Sequence, residues 1–497
     1  MNFLRYSISL HYSRKELNFQ NLTAKLSNAI LVDIRVFMNL MKVYKIELLI
    51  FIVLVISYGY FFRRLDWNSG TRLDLVWSIV DHHSFSIDTY HENTGDKAFY
   101  KGHFYTDKAP GISFLAVPFY FIASKILRLC SSSSALVDYI FKIYIPTFFV
   151  VIIPSAIMGV IFYKTINMFL SNIRLSILGT MSYSLGTIVF FYSNMFYAHH
   201  VAGFLFFTAF YILIKSSNIK EINKSKIFLS GSLLGLAILC EYPMVVFAVF
   251  VFAYLFAVTK SIKKLIYLAI PVCLAVIILC IYHYACFDNP LKTGYNYEYS
   301  HYFAKYHAQG ISGIKLPKLS RIIKLTFGLK RGIFMMHPFL LFAFPGAYFG
   351  LKSKRKREFL FFIIISAAVL LFYSSFKFFA ERFLITAIPF LCIMAIYGVA
   401  KLKSKILASI FMVLVAVSSI LMLFAIGTDV LARRGNSMCY QNIFYRLADI
   451  DIYFENNLFS LLFGKAGMLE FIPILAIWAI CIIVFCKINK QAKKQIV

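Results

Sequence analysis

Apolar stretches of about 15 to 25 residues recur along this chain from residue 46 to residue 486, each bounded by basic clusters or polar loops. A helix needs about 20 such residues to cross the hydrocarbon core of a bilayer. The pattern therefore predicts an all-α polytopic membrane protein with about 12 transmembrane helices. The predicted spans are 46–62, 139–163, 175–193, 199–214, 227–240, 243–258, 265–285, 331–351, 358–375, 383–400, 406–427 and 468–486.

A further apolar stretch, at 111–129, is expected to lie in the membrane interface without crossing it. Pro118 interrupts the stretch, and Lys125 and Arg128 leave only about 14 uncharged residues in it, fewer than a spanning helix needs. With this stretch excluded, both termini and the basic loops 215–226 and 259–264 fall on the cytoplasmic side, where Lys and Arg are enriched. The same topology makes 63–138 one long first extracytoplasmic loop.

This topology divides the chain into a basic cytoplasmic segment at 1–45, a transmembrane region at 46–486 and a basic cytoplasmic tail at 487–497. All aspartates except Asp33 and all histidines except His11 then fall outside the cytoplasm or at an outer span end. Aspartate contributes little to the orientation of membrane insertion. We therefore attribute the asymmetry to a functional site on the extracytoplasmic face.

The composition agrees with a membrane protein and excludes a soluble enzyme, since 60% of the residues are hydrophobic, 15% are charged and the mean hydropathy is +0.74. The net charge of +29 would suggest a nucleic-acid partner in a soluble chain. Here much of the positive charge lies in short loops between spans, so we expect membrane lipids as partners and no nucleic acid. The nine cysteines show no metal or disulfide spacing.

The first extracytoplasmic loop carries the candidate chemistry. Apolar positions at helical spacing predict an amphipathic helix over 70–81, lying on the membrane surface, and the tyrosines and glycines that follow predict a compact folded loop. The run Asp107-Lys108-Ala109-Pro110-Gly111 then leads into the interfacial helix. Free N–H groups at a helix start form an anion site, to which Lys108 adds a charge. We expect a phosphate there; the alternative is a plain helix cap.

A run of residues in the first loop matches a known pattern: Asp96-Lys97-Ala98, Tyr100, Gly102-His103, Tyr105, Asp107-Lys108-Ala109-Pro110-Gly111 and Pro118. It resembles the first outer loop of bacterial GT-C membrane glycosyltransferases, the superfamily of protein O-mannosyltransferases and lipid A aminoarabinose transferases. Shorter matches follow at His199, Glu241-Tyr242-Pro243, Gly294-Tyr295, Arg331-Gly332 with Pro338, and Glu381-Arg382-Phe383-Leu384. The resemblance covers roughly residues 60 to 400 and implies a GT-C-like fold.

The resemblance implies an inverting glycosyltransferase that takes a sugar from a polyprenyl-phosphate donor. The acceptor, a lipid, glycan or protein, would lie outside the cytoplasmic membrane of a bacterium. Asp107 and Lys108 are then expected to bind the donor phosphate, and Arg72 and Arg382 are further cations that could bind it. In some members a divalent metal meets the phosphate, and here Asp107 with His103 would hold it. The expected substrate-binding residues are Tyr100, His103, His199, Glu241 and Arg331.

The general base is the point at which this sequence departs from the family pattern. The resemblance implies an acidic residue shortly after the first span and three residues before an arginine, but Ser69 stands at that distance from Arg72. Asp66 is the nearest acidic replacement, with Asp81 and Asp96 as alternatives. A carboxylate suits the task because a sugar hydroxyl must lose its proton as it attacks, while nearby cations stabilise the departing phosphate.

Two other functions are compatible with a basic polytopic protein. A lipid-linked glycan flippase or transporter is expected to spread ionisable residues over its membrane helices. An O-antigen polymerase or ligase is expected to carry its arginine- and histidine-rich loop late in the chain. Because the candidate residues are concentrated in the first loop, the sequence favours a glycosyltransferase.

Overall fold

Apolar runs form helices almost everywhere in the computed structural model, which describes residues 45–63, 65–129, 135–216, 222–310, 313–329, 332–376, 380–428, 457–463 and 467–494. The chain divides into two units, Met1–Ile50 and Phe51–Val497. The described residues of the first unit are the opening turns of helix α1 (Lys45–Gly59). All other described elements belong to the second unit.

The region of the first loop contains two helices and a hairpin. Its elements are α2 (Trp67–His82), β1 (Lys97–Tyr100), β2 (His103–Thr106) and α3 (Gly111–Leu129), after which α4 runs over Leu136–Leu170. The hairpin is the one departure from the all-α prediction among the described elements. Its turn residues, Lys101 and Gly102, both have positive φ, as the tight turns between twisted antiparallel strands require.

The remaining elements described here are helices. The middle of the chain contains α5 (Ile173–Leu185), α6 (Ile188–Tyr192), α7 (Ala198–Ser216), α8 (Lys224–Cys240), α9 (Met244–Thr259), α10 (Ile262–Phe287), α11 (His301–His307) and α12 (Leu319–Phe327). The last part contains α13 (Ile333–Met336), α14 (Ala343–Leu351), α15 (Lys356–Ser374), α16 (Ile388–Leu402), α17 (Lys405–Thr428), α18 (Leu458–Phe463) and α19 (Ile472–Lys494).

Six helices in the described part of the chain are long and apolar enough to cross a membrane: Gly111–Leu129, Leu136–Leu170, Ala198–Ser216, Ile262–Phe287, Lys356–Ser374 and Lys405–Gly427. Four shorter apolar helices accompany them: Met244–Thr259, Pro338–Leu351, Ile388–Leu402 and Leu469–Phe485. The protein is therefore an integral membrane protein by the length and composition of its helices. Because α3 is among the six, its composition alone permits a crossing, and its interfacial position stays a prediction.

Two predicted spans are not continuous helices. The stretch 175–193 is split into α5 and α6, because Gly186 ends the first helix and Thr187 caps the second, accepting a hydrogen bond from Val189 N–H at 3.2 Å. The stretch 331–351 is broken before Pro338, where the backbone of His337 leaves the helical conformation.

The helix predicted over 70–81 is confirmed as α2, but its polar side does not face solvent. Asp74 and Ser78 are both buried, so this helix is more enclosed by the protein than its sequence pattern indicates. Helix α3 covers this side by running alongside α2. Ser113 Oγ donates to Arg72 O at 2.8 Å near the start of both helices, and Tyr120 OH donates to the carboxylate of Asp81 at 2.9 Å farther along.

The first loop is folded onto the end of one long helix. Leu75, Ile87 and Ala98 form a buried cluster with Tyr282 and Phe287 at the end of α10. Aromatic side chains of the hairpin surround this cluster. This packing holds the hairpin at one end of the helices. Because residues 63–110 lie at that end, we call it the loop end of the molecule.

Candidate active site

The hairpin brings two carboxylates and a lysine together. Its register pairs Lys97 with Thr106, so the residues just outside the two strands, Asp96 and Asp107, lie side by side at the open end. Lys108 follows directly. Its Nζ forms an ion pair with the carboxylate of Asp107 and lies 3.2 Å from Oδ2 of Asp96. Only 13% of the Lys108 side chain is exposed, so this group is a partly desolvated ion cluster.

The protonation of this cluster follows from burial and charge together. Burial lowers the pKa of Lys108, but the two carboxylates outweigh it and hold that pKa well above its usual value. Burial and the charge of Asp96 raise the pKa of Asp107. Burial would also raise the pKa of Asp96, yet the combined charges of Lys108, Arg382 and Arg72 hold it below its usual value. Lys108 is therefore charged, and of the two aspartates Asp107 takes a proton more readily than Asp96.

A third carboxyl reaches the cluster from the segment after α10. This segment lines up beside β1, since Tyr299 N–H donates to the carbonyl of Lys97 at 2.9 Å. The neighbouring Glu298 is buried with its side chain against Asp107 and 3.5 Å from Nε2 of His307. Burial, followed by the charge of Asp107, raises the pKa of Glu298 to about 9. Glu298 is absent from the residues predicted from the sequence.

A close helix contact brings Glu241 to the same place. Helix α3 begins at Gly111 and helix α8 ends at Cys240, and the two helices touch there. A Cβ atom on Gly111 would lie 2.4 Å from the carbonyl carbon of Leu239. Only glycine allows this approach, which carries Glu241, the residue after α8, to the first loop.

Glu241 lies close to both Arg72 and His199. Arg72, on α2, is 2% exposed, and its guanidinium lies 3.7 Å from Oε2 of Glu241 while donating to Oδ1 of Asn68 at 2.7 Å. His199 Nδ1, at the start of α7, lies 3.2 Å from the same Glu241 oxygen but without hydrogen-bond geometry. Burial would raise the pKa of Glu241, but His199, Arg72 and Lys108 together lower it. Glu241 is therefore ionised.

Asp66 and Arg382 form the other side of the cluster. Asp66 caps α2 by accepting a hydrogen bond from Ser69 N–H at 2.8 Å, and its second oxygen accepts one from Tyr197 OH. The guanidinium of Arg382 lies 5.6 Å from the centre of the Tyr197 ring. The pKa of Arg382 is raised. Burial disfavours the charged guanidinium, but Tyr197 and nearby acidic groups, including Asp66, favour it more strongly.

Several buried polar atoms in this region have no hydrogen-bond partner among the residues that the structure describes. Buried polar atoms are nearly always bonded in folded proteins, so a group of unpartnered ones is typical of a site that binds a polar ligand. The atoms are Arg72 Nε, Arg382 Nε, Asp107 Oδ1, His199 Nδ1, Glu241 Oε2 and Glu298 Oε2. Both signs of charge are represented among these atoms.

Asp81, an alternative base, lies apart from this cluster. Its carboxylate accepts hydrogen bonds from Tyr90 and Tyr120 and lies 3.4 Å from Arg128. It is also nine residues along α2 from Arg72, which corresponds to roughly 13 Å of helix. The structure does not bring Asp81 to Lys108, so the suggestion that it acts as the base is not supported.

Tyr100 and His103 also lie away from the cluster, because they flank the turn of the hairpin while Asp107 follows its open end. His103 Nδ1 pairs with Asp88 at 2.7 Å and is mostly exposed, and Tyr100 OH reaches Asp288 at 3.4 Å. Four residues of extended strand separate His103 from Asp107 by roughly 13 Å. The structure therefore does not bring these two residues together and gives the predicted metal pair no support.

The described residues contain no group of three or more His, Cys, Asp and Glu side chains arranged to hold a metal ion. The ammonium of Lys108 already lies between the two closest carboxylates. This cluster therefore does not fit a divalent metal. The remaining predicted substrate-binding residue, Arg331, lies outside the residues that the structure describes.

No family model matches this sequence, and no curated protein sequence matches it. Solved structures with a similar course of the chain include ArnT from Cupriavidus metallidurans, bound to undecaprenyl phosphate and in the apo state, and an oligosaccharyltransferase from Archaeoglobus fulgidus. The TM-scores are 0.48, 0.48 and 0.44, at 13%, 14% and 12% identity. Both enzymes belong to the GT-C superfamily, the one that the first-loop motif resembles.

The matches cover 80%, 84% and 81% of this chain, in the same order, and 66%, 68% and 54% of the other chains. This chain thus spans about two thirds of ArnT and about half of the oligosaccharyltransferase. Likenesses this distant transfer neither an activity nor the role of a residue.

Proposed function

We propose that this protein is an integral membrane glycosyltransferase that moves a sugar from a polyprenyl-phosphate donor to an acceptor on the loop side of the membrane. One observation carries the proposal. Three cations, the buried Arg72 and the half-buried Lys108 and Arg382, lie close to acidic side chains where apolar helices end. A lipid phosphate lies at that depth, and cations in a poorly hydrated site bind and stabilise a phosphate strongly.

In this proposal Lys108 and the two arginines stabilise the leaving group. The bond between the sugar C1 and the phosphate oxygen breaks, and polyprenyl phosphate departs with its negative charge against these cations. No step requires a metal ion.

Asp66 is the best-supported base. It must accept the proton of the acceptor hydroxyl as that oxygen attacks C1 from the face opposite the phosphate, which inverts the configuration. Asp66 already accepts hydrogen bonds from two hydroxyl-bearing residues, whereas Asp96 is tied to Lys108 and has a lowered pKa. The lowered pKa makes Asp96 a weaker base than an ordinary aspartate.

The proposal is tested with the purified full-length protein and a panel of labelled polyprenyl-phosphate sugars, with extracted envelope lipids, glycans and proteins as acceptors. Release of polyprenyl phosphate together with labelling of an acceptor supports it. Use of pyrophosphate-linked glycans alone would favour a polymerase or ligase. Movement of intact donor across a vesicle membrane would favour a flippase.

The proposed location is the cytoplasmic membrane of a bacterium, with the loop end facing the exterior or periplasm. The predicted positive-inside topology supports this orientation, and the same topology places the first loop outside.

A further inference from the structure

Helix α12 carries an apolar stripe that no described part of the protein covers. Leu319, Ile323 and Phe327 recur every four residues, so they lie on one face, and they are 71%, 53% and 51% exposed. The other side of the helix is packed against the protein, since Leu325 is buried and Arg321, one turn earlier, is bonded to the end of α15. An exposed stripe of three large apolar side chains on a short helix is typical of contact with a membrane or a partner.

The position of α12 places this stripe at the height of lipid headgroups. Arg321 donates hydrogen bonds to the carbonyls of Ser374 and Ser375, at 3.3 and 3.1 Å. These carbonyls end α15, a 19-residue helix long and apolar enough to cross the membrane. A helix held against the end of a span lies where the hydrocarbon core meets the headgroups.

The charges around the stripe determine which surface fits. Lys315, Lys318 and Lys324 are all exposed beside it. No acidic residue stands between Glu298 and Glu358 in the sequence, so no carboxylate of this segment neutralises them. An apolar face bordered by lysines is complementary to a bilayer leaflet that contains anionic lipid.

We propose that α12 is a docking surface for the anionic phospholipids of the leaflet at the loop end. Its apolar stripe inserts among the acyl chains while the three lysines bind the negative headgroups. Arg321 transmits this anchorage to the end of α15. This role does not depend on the enzymatic activity, since neither the stripe nor the lysines belong to the Lys108 cluster.

The test places a fluorescent reporter in the stripe. Full-length protein with Ile323→Trp is reconstituted in vesicles of phosphatidylcholine and phosphatidylglycerol in which one lipid or the other carries brominated acyl chains. Bromine quenches only tryptophan that is inserted beside it. The signal of the three native tryptophans is subtracted with the parent protein. We expect quenching by both lipids, with a clear preference for brominated phosphatidylglycerol.

Charge removal then identifies the source of that preference. Lys315→Gln, Lys318→Gln and Lys324→Gln together should reduce the preference about tenfold or more, because each lysine near an anionic surface favours it about fivefold. The matched control, Lys260→Gln with Lys263→Gln, removes lysines at another helix end and should leave it unchanged. If neither brominated lipid quenches the tryptophan, the stripe contacts water, a second copy or another protein. That result would overturn the proposal. So would a preference that survives the triple substitution.

Discussion

At the scale of single residues, the side chains expected to act on the donor are distinct from those that hold the loop together. Asp66 caps α2 and also accepts a hydrogen bond from Tyr197. Asn caps helices as well as Asp does, so Asp66→Asn should fold normally. The variant cannot accept a proton at neutral pH, and we expect turnover to fall at least about a hundredfold while donor binding is kept.

The comparison variants make this prediction specific. Asp81→Asn alters a carboxylate outside the cluster and should keep nearly full turnover. Asp96→Asn removes a partner of Lys108 and should weaken donor binding more than it slows the chemical step. Wild-type turnover in Asp66→Asn, with loss in Asp96→Asn at unchanged donor affinity, would transfer the role of base to Asp96.

Asp74 permits a test that does not depend on activity. It is fully buried on α2, and burial raises its pKa to about 8 despite a hydrogen bond from Asn93 and the charge of Lys97. An unfolded aspartate titrates near 3.8. The folded state therefore keeps a proton that the unfolded state loses, and this contribution to stability is complete below about pH 4 and is lost as the pH rises towards 8.

Asp74→Asn cannot lose that proton. Its unfolding temperature should therefore rise relative to the wild type as the pH increases from about 4 to 8, and the difference should then level off. Thermal unfolding in detergent at a series of pH values measures it. A difference that stays constant over this range would mean that Asp74 titrates normally in the folded protein.

The sequence predicted some of these residues and missed others for a physical reason. Lys108 and Asp107 can be selected from the sequence because they occupy one contiguous motif before a helix. Glu298 could not be, because it reaches Asp107 only when the segment after α10 pairs with β1. His103 was misplaced since nearness in the sequence does not show that a strand separates it from Asp107.

At the scale of elements, the contact between α3 and α8 determines whether the site assembles. Gly111→Ala places a methyl group against the backbone of Leu239, which cannot move aside as a side chain would. We expect a loss of stability of about 1–3 kcal/mol and a strong loss of activity, because Glu241 is shifted away from Arg72. Thermal unfolding and the transfer assay measure the two effects.

Gly102→Ala is the matched control in the same loop. Gly102 has a φ of +88° but no atom within 4 Å of an added Cβ, so the variant loses about 1–2 kcal/mol from backbone strain alone. It lies at the turn, away from the cluster, and should keep its activity. Equal losses of activity in both variants would show that the whole loop, and not the α3–α8 contact, is responsible.

Hydrophobic patterns predicted most helices correctly but not their interruptions. The apolar content of 175–193 and 331–351 is continuous, yet Gly186 and Pro338 end the helical hydrogen bonding there. The pattern of α2 likewise could not show that α3 would cover its polar side. This packing depends on tertiary contacts between residues about forty positions apart. The local periodicity of the sequence holds no information about such contacts.

At the scale of the whole molecule, the topology depends on whether α3 crosses the membrane. Its beginning and its end both contact α2, through Ser113 and through Arg128, which lies 3.4 Å from Asp81. A helix that follows α2 in this way should stay at the loop end. We therefore expect Arg128→Cys to react with an impermeant thiol reagent from outside intact cells.

Lys354→Cys, in the basic loop before α15, should react only after permeabilisation. Ser133, in the segment that follows α3, lies outside the residues that the structure describes. Reaction of Arg128→Cys only in permeabilised cells would show that α3 crosses the membrane. The predicted sides of all segments that follow α3 would then have to be exchanged.

The central claim is that Lys108 stabilises polyprenyl phosphate as it leaves the sugar. The most direct measurement is the rate of polyprenyl-phosphate release by purified Lys108→Ala, compared with Lys101→Ala, a variant of an exposed lysine in the same hairpin that pairs with Asp288. Loss of a charge-assisted contact of about 1.5–3 kcal/mol predicts a roughly tenfold to hundredfold slower release for Lys108→Ala and near-normal release for Lys101→Ala. Wild-type release by a correctly folded Lys108→Ala protein would contradict the account.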